Sequence, residues 1–171
     1  DEEERLGYYE IVESNNERLL QLINEILDLS KIESGIVEFT ITPVRLHPLC
    51  KEIHDAHIFR CPEGVELIYE PSDENIVIDG DKNRIFQVIS NLIGNAFKFT
   101  TTGHISYGYR QEGKYVAFHV TDTGMGIAPD KVDRVFERFV KVNNFAQGTG
   151  LGLSICKTII ERLGGNISVT S

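Results

Sequence analysis

Tryptophan is absent from the 171-residue chain, methionine occurs once, and cysteine stands only at positions 50, 61 and 156. An odd set of cysteines without a C-x-x-C pair excludes a disulfide framework and points to reduced thiols in a reducing compartment. Missing too is any apolar run near the ~20 residues that a membrane helix requires. Positive charge is scarce: 17 Lys+Arg face 26 Asp+Glu, a net charge of −9. Nucleic acid and anionic membranes are held by basic side chains that neutralise phosphates, so no nucleic-acid partner is expected. Asp1 to Arg5 is acidic and lacks a secretory-signal pattern. A cytoplasmic setting is expected, and membrane attachment of a full-length protein is compatible with it.

What is present is ordinary for a globular chain, 41% hydrophobic and 25% charged. The length suits one compact domain plus a helical appendage. From about Glu2 to Ile32 helix formers dominate. Leu19, Leu20, Leu22, Ile23, Ile26, Leu27 and Leu29 cover too much of the circumference for one interface. That predicts a stalk helix seeking partners on two sides, as in a bundle. Gly35 then offers a left-handed stop.

Beyond Gly35 the periodicity changes. A strand is expected over Ile36–Ile41, a break at Pro43, and a helix over Val44–Arg60. Short strands at Val65–Tyr69 and Ile76–Ile78 precede a strong helix, Lys82–Phe99, introduced by Asp79-Gly80-Asp81. Strands His104–Tyr109 and Tyr115–Val120 turn at Glu112-Gly113. A glycine loop, Asp122–Gly126, leads to a helix over Pro129–Phe139. The polar stretch Lys141–Gly150 is expected to be a mobile lid. Helix Leu151–Leu163 follows, and Asn166–Ser171 is expected to begin a strand that the chain end cuts off. The class is α+β: a mixed sheet with helices on one face, plus a separate stalk helix.

His47, Cys50, His54, His57 and Cys61 recur at three- and four-residue intervals, so a helix stacks them on one stripe. A single straight helix cannot surround an ion tetrahedrally, and Leu46, Leu49 and Ile53 run alongside. The stripe reads as the packing edge of that helix.

Three segments carry chemistry. In the first, Asn91, Asn95 and Lys98 recur at i, i+4 and i+7 and share a helix face. An amide oxygen can ligate Mg²⁺, and a lysine can neutralise phosphate. The second is Asp122-Thr123-Gly124-Met125-Gly126, directly after an apolar strand. Its carboxylate can accept from an exocyclic amine, and its glycines let backbone approach a ligand. An aspartic protease would need two such aspartates sharing a proton, and one is present. The third is Gly148-Thr149-Gly150-Leu151-Gly152, opening the last helix, where free N–H groups make an anion cradle. No Gly-Lys-Ser/Thr follows, so it is not a P-loop.

In this order the three resemble the N, G1 and G2 boxes of sensor histidine kinases, members of the Bergerat-fold ATPases. Phe136-Glu137-Arg138-Phe139 resembles their F box, and Leu27 to Gly35 the junction between second dimerisation helix and catalytic domain. The resemblance covers nearly the whole chain and implies an α/β sandwich that binds ATP. It divides the chain into 1–35, the second helix of a dimerisation domain, and 36–171, the ATP-binding domain. By position it assigns Asn95 to Mg²⁺ and Asn91 and Lys98 to the phosphates, these three being the catalytic set. Asp122 falls to the adenine amine, with Phe99 and Ile127 near the base. Gly124, Gly126, Gly148, Thr149, Gly150, Leu151 and Gly152 shape the pocket and lid hinges, and Arg138 is a further phosphate contact. Gln147 departs from the glycine that many members carry.

The resemblance also implies partners: a homodimer mate, a first helix bearing the phosphoacceptor histidine, and a response regulator. None of His47, His54, His57, His104 and His119 sits in the family's His-Glu/Asp-x-Arg/Lys-x-Pro setting, so the acceptor is expected upstream of Asp1. A gyrase-type ATPase would carry a glutamate base where this chain has Asn91. A nucleotide-binding dimerisation scaffold would not require intact boxes.

Overall fold

Asp81 ties the connection after the stalk to the start of the central helix. One carboxylate oxygen accepts the Arg84 backbone N–H at 3.1 Å, the capping bond that opens helix α3 (Lys82–Phe99). The other accepts the Thr40 N–H at 2.9 Å. A capping carboxylate satisfies one of the N–H groups that a first helical turn leaves unpaired. The computed structural model describes residues 2–140 and 148–171. The expected lid therefore lies, but for Gly148–Gly150, outside the described residues. Helix α1 (Glu2–Glu33), strand β1 (Thr42–Arg45), helix α2 (Leu46–His57) and strands β2 (Val65–Glu70) and β3 (Val77–Gly80) precede α3. Strands β4 (Gly103–Glu112) and β5 (Tyr115–Asp122) and helices α4 (Pro129–Val132) and α5 (Gly152–Arg162) follow it.

Strand β4 pairs parallel with β2 and antiparallel with β5, placing Tyr107 between Tyr69 and Val120. Strands β1 and β3 form a separate antiparallel ladder. Ile105, Tyr107 and Tyr109 alternate onto one face of β4 and are at most 1% exposed. There they join Leu49 and Ile53 of α2 and Ile89 and Ile93 of α3 in one core cluster. The result is a mixed sheet with helices on one face, as the pattern implies.

Helix α3 is apolar on two sides. Ile85, Ile89, Ile93 and Ala96 serve the sheet core, while Val88 joins Ile155, Cys156 and Ile159 of α5 and Leu29 and Ile32 of α1. Burying a side chain the size of Ile32 contributes about 2 kcal/mol. The last turn of α1 is thus part of a core, whereas Tyr8, Tyr9, Val12, Leu19, Leu20 and Ile23 stand exposed on the same helix. Along the stripe on α2, His47 Nδ1 and the Tyr69 hydroxyl meet at 3.1 Å and His54 stacks on Tyr107, whereas His57 packs against Phe86 and Phe97 of α3.

Local boundaries differ from the sequence pattern in several places. Ile36–Ile41 is not a strand; pairing begins at Thr42 and includes Pro43, which β1 tolerates because β3 is its one partner. The alternation has another cause. Phe39 sits between the guanidinium groups of Arg84 and Arg162, 5.6 and 5.4 Å from its ring centroid, while Ile36 and Ile41 stay exposed. The second helix starts at Leu46 and ends in a single tight turn, Ile58–Arg60. The helix expected to Phe139 stops at Val132. Three-residue turns follow, with Arg134 N–H to Lys131 C=O and Glu137 N–H to Arg134 C=O, and Phe139 takes a left-handed φ of 62°. Asn166–Ser171 forms no strand; the Ile127 N–H donates to the Ser171 hydroxyl at 2.7 Å instead.

Candidate functional site

Asn91, Asn95 and Lys98 share one face of α3, the two amides half-buried and the lysine exposed. Asn91 leans on α5. Its side chain lies beside the Cys156 thiol, which donates to the Val88 carbonyl at 3.7 Å. Burial pushes that thiol up to about 12, so it stays neutral. Lys98 reaches in the other direction: a Cβ built on Gly148 would lie 3.5 Å from its Nζ. The ammonium and the second glycine turn are therefore neighbours.

Strand β5 delivers Asp122, whose pairing with Ile105 is the last of the ladder. Asp122 Oδ1 accepts the Gly124 N–H at 2.8 Å, and the residue is exposed. Gly124 is pressed onto the end of α3. A Cβ there would meet the Phe99 carbonyl oxygen at 2.5 Å, and the Met125 N–H donates to that same oxygen at 3.3 Å. Gly126 has φ 71°, a left-handed conformation that favours glycine. Phe99 closes α3 and Ile127 leaves the turn, both half-buried.

The second turn precedes α5. The Gly150 carbonyl accepts the Phe139 N–H at 2.9 Å, and a Cβ on Gly150 would lie 2.9 Å from Phe139 Cα. Thr149 Oγ1 accepts the Leu151 N–H at 3.3 Å and donates to the Glu25 carboxylate of α1. Leu151 is buried, and Gly152 opens the helix with nothing within 4 Å of an added Cβ.

The structure thus joins the amide face of α3 to both turns, through Phe99 and through Lys98. Arg138 goes elsewhere: it forms an ion pair with Glu33 at the end of α1. Sequence reasoning gave no role to Glu25, Glu33 or Cys156, and named Phe139 only within the F box, without its left-handed turn against Gly150. A left-handed phenylalanine carries no sequence signal, and a glutamate ending a polar helix face reads as solvated. Thr123 stands inside a motif whose reading assigns roles to the carboxylate and the glycines alone.

Such a layout, an amide-bearing helix flanked by two glycine turns in an α+β sandwich, defines an ATP-binding domain. Residues 80–171 match the family described as histidine kinase-, DNA gyrase B- and HSP90-like ATPase, and the chain belongs to that family. Sensor histidine kinase RcsC of Escherichia coli strain K12 is 42% identical over 163 residues, which are 90% of this chain and 17% of RcsC. Autoinducer 2 sensor kinase/phosphatase LuxQ of Vibrio harveyi is 34% identical over 183 residues, 100% of this chain and 21% of LuxQ. The chain thus spans about a fifth of the length of these relatives. Among solved structures, full-length ShkA in complex with AMPPNP superposes with TM-score 0.81 at 31% identity, covering 94% of this chain and 34% of ShkA. Histidine kinase ThkA in complex with response regulator protein TrrA gives 0.74 at 27%, covering 92% and 44%. The catalytic domain carried here is of the sensor histidine kinase type. Among the described residues no helix is long and apolar enough to cross a membrane.

Proposed function

We propose that this chain is the catalytic part of a kinase that moves the γ-phosphoryl group of ATP to a histidine imidazole on a dimerisation helix. From there the group passes to an aspartate of a response regulator. The observation that carries this reading is the approach of Lys98 to the Gly148 turn, beside the half-buried amides of Asn91 and Asn95. A cation, neutral amide oxygens and glycine N–H groups are the donor set that a metal-bound polyphosphate takes. The residues fit both ATP and Mg²⁺.

In this reading Asn95 holds Mg²⁺ through its amide oxygen, and Lys98 and Asn91 face the phosphates. When bound, the metal neutralises phosphate charge that builds as the bond between Pγ and its bridging oxygen breaks. Asp122 accepts from the adenine amine, with Phe99 and Ile127 near the base. Gly124, Gly126, Gly148, Thr149, Gly150, Leu151 and Gly152 shape the backbone around the nucleotide. Arg138 serves the phosphates once Glu33 releases it. Asn91 is no base near neutral pH, so water is not activated and the acceptor imidazole supplies its own nucleophile. Residues 1–35 act as the second dimerisation helix and 36–171 as the ATP-binding domain. The bare apolar residues of α1 support a homodimer with a first helix alongside. The setting is cytoplasmic.

The test separates metal from base. Asn95→Ala should weaken Mg-ATP about tenfold or more while adenosine binding holds, whereas Asp122→Asn should weaken both. Calorimetry showing unchanged Mg-ATP affinity in both variants would sink the assignment. Rapid phosphate release by the unmodified chain would favour a hydrolase instead.

A further inference from the structure

Thr123 stands between the two residues that define the Asp122 turn, and its hydrogen bonds all go to one partner. Strands β4 and β5 pair for the last time at Ile105 and Asp122. Beyond that point Thr123 continues the connection: its N–H donates to the His104 carbonyl at 3.2 Å, and its Oγ1 accepts the His104 N–H at 3.0 Å. The same hydroxyl donates to the His104 carbonyl at 3.2 Å. A threonine hydroxyl has one proton and two lone pairs, so it can serve both groups at once. The seat is made by Gly103. A Cβ there would lie 2.2 Å from Thr123 Oγ1, and the φ of 116° already disfavours a side chain.

The residues on either side convert this anchor into aim. Gly124 has no freedom on the α3 side, because the Phe99 carbonyl oxygen fills the space its Cβ would need. Its N–H holds Asp122 Oδ1 at 2.8 Å, which leaves Oδ2 as the acceptor for a ligand. The turn is fixed to β4 by Thr123 and to α3 by Gly124 and Met125. We infer that Thr123 is a positioning residue that aims the Asp122 carboxylate, and thereby sets the preference of this site for a 6-amino purine over a 6-oxo purine. The inference rests on the reading of Asp122 as the partner of the adenine amine. An acceptor held in one direction rewards an amine and repels a carbonyl oxygen. An acceptor free to rotate does neither well. Losing the hydroxyl leaves the turn closed but loose, so ADP binding falls while IDP binding hardly changes.

The test compares ADP with IDP, which differ at that purine position, by calorimetry on the 171-residue chain. Thr123→Val keeps the shape and removes the hydroxyl; Thr123→Ser restores the hydroxyl without the methyl. The ADP/IDP affinity ratio should fall about tenfold in Thr123→Val, with IDP binding changed less than about twofold. In Thr123→Ser the ratio should stay near that of the unmodified chain. Circular dichroism and urea melts check folding, and Thr123→Ala serves as a second hydroxyl-free variant should valine prevent it. A valine or alanine variant that keeps the ratio, or that weakens both diphosphates alike, overturns the inference. An unmodified chain that binds ADP and IDP equally would overturn the Asp122 assignment itself. A preference lost in Asp122→Asn but kept in Thr123→Val overturns only the role of Thr123.

Discussion

The two glycine turns meet the last turn of the same helix but rest on different foundations. The Asp122–Gly126 turn is held from within its own domain, by His104 of β4 and the Phe99 carbonyl of α3. The Gly148–Gly152 turn borrows support from the stalk. Thr149 bonds Glu25, and Arg138, next to the Phe139 that carries Gly150, pairs with Glu33. The contrast teaches that α1 touches the second turn and not the first, so that under the proposed roles phosphate binding would depend on α1 and base binding would not. A helix that moves relative to the domain would act on one turn and spare the other.

The largest effect should come from the shared footing of α1. Ile32 is fully buried among α1, α3 and α5. Ile32→Ala should cost about 3 kcal/mol of stability, the usual range for an aliphatic cavity, read from urea midpoints. The difference between the turns should also appear in amide exchange. The Leu151 N–H, bonded to Thr149, should exchange faster in the variant, while the Thr123 and Met125 N–H groups should change only with global stability. Equal acceleration at both turns would break the comparison.

A smaller effect isolates the two stalk carboxylates. Arg138 and Glu33 are 52% and 40% exposed, so their pair is screened and worth about 0.5 kcal/mol or less. Glu33→Gln combined with Glu25→Ala should therefore leave the urea midpoint nearly unchanged. Exchange of the Leu151 amide should still rise several-fold, because Thr149 loses its acceptor on α1. An unchanged Leu151 rate would mean that Phe139 alone holds the second turn.

This division was only half legible in the sequence. The span of α3 was readable to the residue, because Asp81 is a capping side chain and the apolar spacing of Ile85, Ile89 and Ile93 is helical throughout. The three chemical segments were legible for a similar reason, since glycine and amide positions are local features. What escaped were non-local ties. Nothing in Ile36–Ile41 announces that Phe39 lies between two arginines from different helices, so its alternation imitated a strand. Pro129 starts α4 as expected, but the helix ends early where the chain turns to let Phe139 meet Gly150, a contact beyond the reach of a helical repeat. Nothing local marks Glu25 and Glu33, because their partners, Thr149 and Arg138, lie more than a hundred residues away.

The smallest effect belongs to the face of the sheet that neither turn uses. Glu70, Gly108 and His119 stand in one row across β2, β4 and β5. Gly108 has no side chain, and a Cβ there would lie 2.5 Å from the Glu70 carbonyl oxygen and 3.1 Å from His119 Cε1. His119 can therefore reach over the middle strand, and its Nε2 meets Glu70 Oε2 at 3.0 Å. That hydrogen bond holds the Glu70 carboxyl below its ordinary value of 4.5, against a weaker opposing effect of burial. A carboxyl depressed on folding adds stability that is complete above its unfolded value and is lost as pH falls through the folded one. Both side chains are partly exposed, so the contribution is small. The gap in urea midpoint between the unmodified chain and Glu70→Gln should close as pH falls below about 4.5, the ordinary value of the carboxyl. A gap that widens as pH falls below about 4.5 would contradict the sign. Amide exchange at Thr123, Met125 and Leu151 should be the same in both proteins at neutral pH, since this row of the sheet touches the support of neither turn.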